Sequence, residues 1–144
     1  MTRLTRAESQ AQTRERIFES ARQAFARIGF AGASIDLICE AAGFSKGAFY
    51  SNFASKEQLF LDLLAQHMAR EVDELTQVIA AHEDAGGVQG AIDEWLLALN
   101  SDADWSLLAI ELQLHARRHP VFAAAYDELH RSHRAALGKL VGRL

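Results

Sequence analysis

Apolar side chains recur at spacings of three and four along nearly the whole chain, the period of helices that each bury one face. From Arg14 they fall at Ile17, Phe18, Ala21, Ala24, Phe25 and Ile28, and Gly29 follows as a candidate left-handed cap. Residues 1–13 are polar and aperiodic and read as a mobile arm. Ser34, as N-cap, and Asp36, as first-turn acid, open a brief second helix. Its inner stripe is Ile35, Ile38 and Ala42, and Gly43 stops it. Ser45 caps a third helix of at most two turns over residues 46–51. Ser55-Lys56-Glu57-Gln58 is a capping-box pattern, with Gln58 placed to bond back to the cap. It starts a long helix with Leu59, Phe60, Leu63, Leu64, Met68, Val72, Leu75 and Ile79 on one face to about residue 82, where Gly86-Gly87 breaks it. Further helices are expected over 88–99 and 103–118, the second capped by Ser101 or Asp102. Pro120 takes the first position of a last helix. Its seam is Phe122, Tyr126, Leu129, His133, Leu137, Leu140 and Leu144. The expected fold class is all-α, without repeats or strands. The last seam is still running, uncapped, where the sequence ends, which reads as a C-terminally incomplete helical domain.

Composition supports this and adds an asymmetry. The chain has 144 residues, 49% hydrophobic and 24% charged, with one proline, which leaves long helices uninterrupted. The single cysteine, Cys39, excludes an intrachain disulfide and a four-cysteine zinc site. Neither a signal-peptide run nor an apolar stretch of membrane-spanning length is present, so a cytoplasmic protein without a membrane partner is expected. Residues 1–56 hold eight basic and five acidic side chains, and residues 57–144 hold seven and fourteen. The first third is therefore +3 and the rest −7, within a net charge of −4. Either the two parts present differently charged solvated faces, or the first meets a polyanion.

Two short helices around Gly43, the second of two turns, fit a helix-turn-helix as well as an ordinary helical hairpin. Gly43 supplies the positive φ of a tight turn, while Ile38 and Phe49 are apolar anchors. Lys46 and Gly47 open the second helix, where base edges are read. The stretch from Arg16 to Phe60 resembles the DNA-binding domain of the TetR/AcrR family of bacterial transcriptional regulators. The resemblance rests on Ala24-Phe25, Gly29-Phe30, Ser34-Ile35 with Ile38, Ala41-Ala42-Gly43-Phe44-Ser45-Lys46-Gly47-Ala48-Phe49-Tyr50, Phe53 and Ser55-Lys56-Glu57-Gln58-Leu59. Cys39 stands where the family usually has alanine. Ala48 stands where it often has threonine or serine, which removes one hydroxyl available to DNA.

The resemblance implies a three-helix DNA-binding domain over 1–56 and a helical effector-binding and dimerisation domain over 57–144. It implies a repressor that binds a palindromic operator as a homodimer and is released by a small molecule, not an enzyme. It places Ser34 and Lys56 on phosphates and Ser45, Lys46, Gly47 and Ala48 at the major groove. Tyr50, Ser51 and Asn52 complete the DNA-facing set. Family members form their dimer interface from helices beyond the point where this sequence stops. Trp95, Trp105, Phe122 and Tyr126 are candidate linings of an effector pocket, or plain core. His115 and His119 stand four apart and His130 and His133 three apart. No third ligand is evident beside either pair, so no metal or other cofactor is expected. Asp127-Glu128-Leu129-His130 alone hints at the Glu-x-x-His spacing of di-iron bundles.

Overall fold

A computed structural model describes residues 4–82, 85–99 and 103–142. Seven helices follow one another: α1 (Arg6–Gly32), α2 (Ile35–Ala42), α3 (Lys46–Asn52), α4 (Lys56–Ala80), α5 (Ala85–Leu99), α6 (Ala103–Arg118) and α7 (Pro120–Val141). No strand occurs among the described residues, and no helix there is long and apolar enough to cross a membrane.

Most ends of the first four helices are fixed by single side chains or glycines. Ser34 Oγ accepts from Leu37 N at 3.1 Å, Ser45 Oγ from Ala48 N at 3.1 Å, and Ser55 Oγ from Gln58 N at 3.0 Å. Gly43 closes α2 in the left-handed conformation, φ 76° and ψ 29°. Pro120 begins α7 as expected. The Ser55 cap predicts a loss of about 1 kcal/mol for Ser55→Ala, read as the change in unfolding free energy in a denaturant titration.

Four expectations are corrected. Residues 6–13 are the start of α1, not a mobile arm. Thr5 Oγ1 accepts from Glu8 N at 3.2 Å while Glu8 Oε2 accepts from Thr5 N at 2.7 Å, a complete capping box that needs no burial. Gly29 does have positive φ (77°), but its ψ of 171° kinks the chain, and one more turn follows before Ala33. Gln58 does not return to its cap; its amide donates to Asp62 Oδ1 at 2.8 Å, one turn onward. The long helix ends at Ala80, ahead of Gly86-Gly87, which lie in the first turn of α5. Glycine's entropic cost is greatest in a helix interior, and these two stand at its edge. The candidate caps Ser101 and Asp102, and Leu144 of the last seam, lie outside the described residues.

The core is continuous across the point where the charge changes sign. Ile17, Phe18, Ala21 and Phe25 of α1 pack with Ile38 of α2, Phe49 of α3, and Leu59, Phe60 and Leu64 of α4. The same cluster takes in Leu108 and Leu112 of α6 and Phe122 and Tyr126 of α7. Phe60 is its hinge pin: wholly buried, with ring centroids 5.2 Å from Phe25, 5.5 Å from Phe30 and 6.5 Å from Trp105. The buried Ser20 hydroxyl donates to Ile38 O at 2.9 Å and fastens α1 to α2. Cys39 is buried in the same layer, where burial raises its thiol pKa above the ordinary value.

Candidate nucleic-acid interface

The short helix α3 is held from behind by two aromatics. Phe49 is fully buried, its ring 5.5 Å from that of Phe53, which meets Phe18 of α1 edge-on at 5.1 Å. Burial of that face turns the other outward. Ser45, Lys46, Gly47, Tyr50 and Ser51 are exposed, and Ala48 half-buried. Tyr50 is 55% exposed and meets Phe49 only edge-on, so its phenol leads outward instead of joining the core. Ser34 is also exposed, one turn-and-loop away at the start of α2.

Two glycines in this segment differ in kind. Gly43 has a φ that L side chains rarely adopt. At Gly47 the φ is ordinary, and an added Cβ would meet only Ser45 Oγ at 3.6 Å, normal contact. The fold requires glycine at the first position but not at the second. What a missing side chain at 47 offers is close approach of another molecule to the backbone.

Lys46 Nζ lies 2.9 Å from Asp36 Oδ1, and that hydrogen bond raises the lysine's pKa further. Both side chains are more than half exposed, so the pair is a weak one that a stronger anion can displace.

Two residues expected to face DNA are turned inward. Lys56 Nζ donates to Phe30 O at 2.7 Å and stands 4.4 Å from the Phe30 ring centroid; burial lowers its pKa. Asn52 donates from Nδ2 to Ala48 O at 2.8 Å, within its own helix. The Asn52 carbonyl accepts from Arg14 Nη1 at 2.6 Å, and Arg14 also covers the Phe53 ring at 4.4 Å and pairs with Asp62 at 3.4 Å. Arg14 thereby ties α1 to the end of α3 and to α4. Its role was not readable from a run of basic residues.

A second junction joins this head to α6. At the Gly29 kink the amides of Phe30 and Ala31 are free of helix partners, and both donate to the Glu111 carboxylate, at 2.9 and 3.0 Å. Close by, His115 Nε2 and Glu57 Oε1 are 2.6 Å apart. One ligand-type atom from each of Glu57, His115 and His119 lies within 4.8 Å of the others. The expectation that the His115–His119 pair lacks a third ligand is therefore corrected. Glu57 is 58 residues away along the chain and only the fold brings it in.

The proposed pocket linings do not share one site. Trp105 and Tyr126 line a cavity of about 160 Å³ between α4, α6 and α7, with His67, Met68, Glu71, His130 and His133. Trp95 lines a separate groove with His82 and Glu94. Phe122 is core, packed edge-on against His115 at 4.9 Å. In the cavity the Glu71 carboxylate bridges His67 Nε2 at 3.0 Å and His133 Nε2 at 2.9 Å, and Trp105 stacks on His67 at 3.9 Å. His130 Nε2 and His133 Nδ1 are buried without a protein partner. The sequence signal for this group was His67-x-x-x-Glu71, one helical turn apart, whose partner pair sits on another helix.

Burial on its own would raise the Glu71 pKa, but hydrogen bonds and charge from His67 and His133 bring it below the ordinary value. Burial, then Arg134 and His133, push the His130 imidazole below its ordinary value. Between that lowered value and about 6.5 the unfolded chain binds the proton that the folded chain refuses, so stability falls as pH drops. The melting temperature is expected to decrease from pH 7.5 to 5.5, and to decrease less in His130→Gln. That window lies above the Glu71 transition, whose own contribution is lost only as pH falls through its lowered pKa.

The Gly43 turn between α2 and α3, braced on α1, makes the first part of this chain a helix-turn-helix head carried on a helical body. Residues 17–63 match the family described as bacterial regulatory proteins, tetR family. That stretch is a TetR-family DNA-binding domain. The chain is 31% identical over 114 residues to the HTH-type transcriptional repressor AcnR of Corynebacterium glutamicum, a match over 79% of this chain and 56% of that protein. It is 28% identical over 118 residues to the HTH-type transcriptional regulator UidR of Escherichia coli, over 82% and 59%. The chain thus spans a little over half the length of these relatives. Among solved structures, a TetR-family transcriptional regulator from Mesorhizobium loti superposes with a TM-score of 0.78 at 25% identity, over 98% of this chain and 70% of the other. GusR of Salmonella enterica gives 0.68 at 25%, over 99% and 71%.

Proposed function

We propose that this chain is the DNA-reading and sensing part of a transcriptional repressor that binds a palindromic operator as a homodimer and responds to a small molecule. The observation that carries this reading is the outward face of α3. Ser45, Lys46, Gly47, Tyr50 and Ser51 present a cation, hydroxyls and an uncovered stretch of backbone together, on a helix anchored by Phe49. Such a face suits the major groove, where a lysine donates to guanine and hydroxyls reach bases or phosphates. Ser34, at the N-terminus of α2, suits a backbone phosphate. Lys56 and Asn52 act from behind, as supports that hold α3 and α4 in register. Two named relatives, AcnR and UidR, are a transcriptional repressor and a transcriptional regulator, which favours the same reading.

Residues 1–56 form the head in this reading and residues 57–144 the sensing part. The effector site is the cavity of about 160 Å³ between α4, α6 and α7, lined on one side by His130 and His133 and on the other by Leu64, Met68 and Leu112. Selection of bound DNA from a random library tests the function. Enrichment of an inverted repeat, its half-sites centred about one or more helical turns apart, supports it. Recovery of DNA without sequence bias refutes it.

A further inference from the structure

The start of α4 and the end of α6 bring together a donor set that DNA reading does not use. We propose that Glu57, His115 and His119 bind a divalent transition-metal ion of the zinc type, which clamps the start of α4 to the end of α6.

Two imidazoles and a carboxylate are a nitrogen and oxygen set suited to zinc. His115 is already oriented for the task, and His119 already holds the tautomer it needs. His115 is wedged edge-on between Phe30 and Phe122, 4.9 Å from each, so its orientation is fixed. Its Nε2 faces Glu57 Oε1 at 2.6 Å, and metal takes that nitrogen in the neutral ring's other tautomer, with the hydrogen on Nδ1 and any Nε2 proton lost to solvent. His119 Nδ1 lies 2.9 Å from His115 O. A carbonyl only accepts, so Nδ1 carries the hydrogen and the neutral ring's lone pair is on Nε2. A backbone carbonyl fixing the tautomer in this way is the usual outer-shell support of a metal-binding histidine.

Bond lengths of about 2.0–2.2 Å place tetrahedral ligand atoms about 3.4 Å apart, against a limit of 4.8 Å here. The His115 and His119 rings stack at 3.9 Å with planes 20° apart, so one of them must turn for both lone pairs to meet an ion. His119 is the one that turns. It is exposed, and as the residue preceding α7 it makes no side-chain cap bond. The surrounding charge is mixed. Lys56 is held on Phe30 O and Glu111 on the Phe30 and Ala31 amides, while Arg117 and Arg118 are exposed in the last turn of α6. Water completes the coordination on the exposed side.

The test is a titration of metal-free chain with Zn²⁺ against a chromophoric zinc indicator. It compares wild type with His119→Ala, Glu57→Gln and His133→Gln, with circular dichroism to check folding. Wild type is expected to bind one equivalent. Loss of an outer-shell partner alone weakens metal sites about 10–100-fold, so His119→Ala and Glu57→Gln should weaken binding at least about tenfold, while His133→Gln leaves it unchanged. His119 is exposed, so its variant reports even where Glu57→Gln disturbs folding. Equal binding by wild type and His119→Ala overturns the proposal. So does a loss confined to His133→Gln, which moves the ion to the Glu71 cluster. Both readouts are independent of DNA.

Discussion

Phe60→Ala is expected to cost about 3–5 kcal/mol of unfolding free energy, the usual loss for a fully buried phenylalanine. The cost falls at the upper end because the ring has no soft side to collapse. Phe25 and Phe30 meet it from α1, Trp105 from α6, and Leu59 and Leu64 flank it in the same buried cluster. Since it touches both the head and the helical body, the variant should lower one cooperative transition without splitting it into two. Far-ultraviolet circular dichroism and the fluorescence of Trp95 and Trp105, followed through the same urea titration, measure this. Coincident curves with a lowered midpoint are the expected result. Two separated transitions would show that head and body are stabilised independently.

Lys46→Ala is expected to cost about 1–3 kcal/mol at the operator and less on unrelated DNA, because a base contact carries sequence information and a phosphate contact does not. The Asp36 pairing adds a second arm. Lys46 must leave Asp36 Oδ1 to reach a base, so Asp36→Asn should tighten binding to the operator, and to scrambled DNA less, by removing a competing anion. Lys56, held on Phe30 O, is a support. Lys56→Ala should therefore leave the slope of log K against log salt near the wild-type value, where a true phosphate contact would reduce it by about 0.9 per protomer. Salt titrations of the three variants on both DNAs separate these cases. Equal losses for Lys46→Ala on both DNAs would assign Lys46 to the backbone and shift base reading to Ser45 or Ser51.

Legibility in the sequence followed the kind of force involved. Short helices ended by special residues were readable. Ser34, Gly43, Ser45, Ser55 and Pro120 each act within one turn of their own position, so local chemistry suffices. Apolar stripes likewise placed Ile17, Ile38, Phe49 and Phe60 in the core. The first two turns of α1 were missed because burial was the signal sought and those residues are exposed. The available signal was Thr5-Arg6-Ala7-Glu8, a capping box by spacing. Polar contacts between distant helices were not legible. Arg14 with Asn52, Glu111 with the Phe30 amide, and Glu57 with His115 each require the rotational register of two helices to be known together. For the same reason Lys56 read as an outward cation, although a carbonyl in the last turn of α1 draws it in.

The Gly29 kink has an evolutionary consequence. A Cβ at residue 29 would lie 2.8 and 2.9 Å from the two Glu111 carboxylate oxygens, besides demanding a φ of 77°. The bonds that Glu111 accepts come from backbone amides, which every residue except proline supplies at positions 30 and 31. Mutational drift at residue 31 is therefore invisible to this contact, whereas positions 29 and 111 are bound to each other. Lineages that lose the glycine should also have replaced the glutamate by a shorter side chain, whereas lineages that lose the glutamate should keep the glycine, because a φ of 77° strains other side chains with or without that carboxylate. A library randomised at both codons and selected for folding should recover glutamate at 111 almost only alongside glycine at 29, and glycine at 29 alongside other residues at 111 as well.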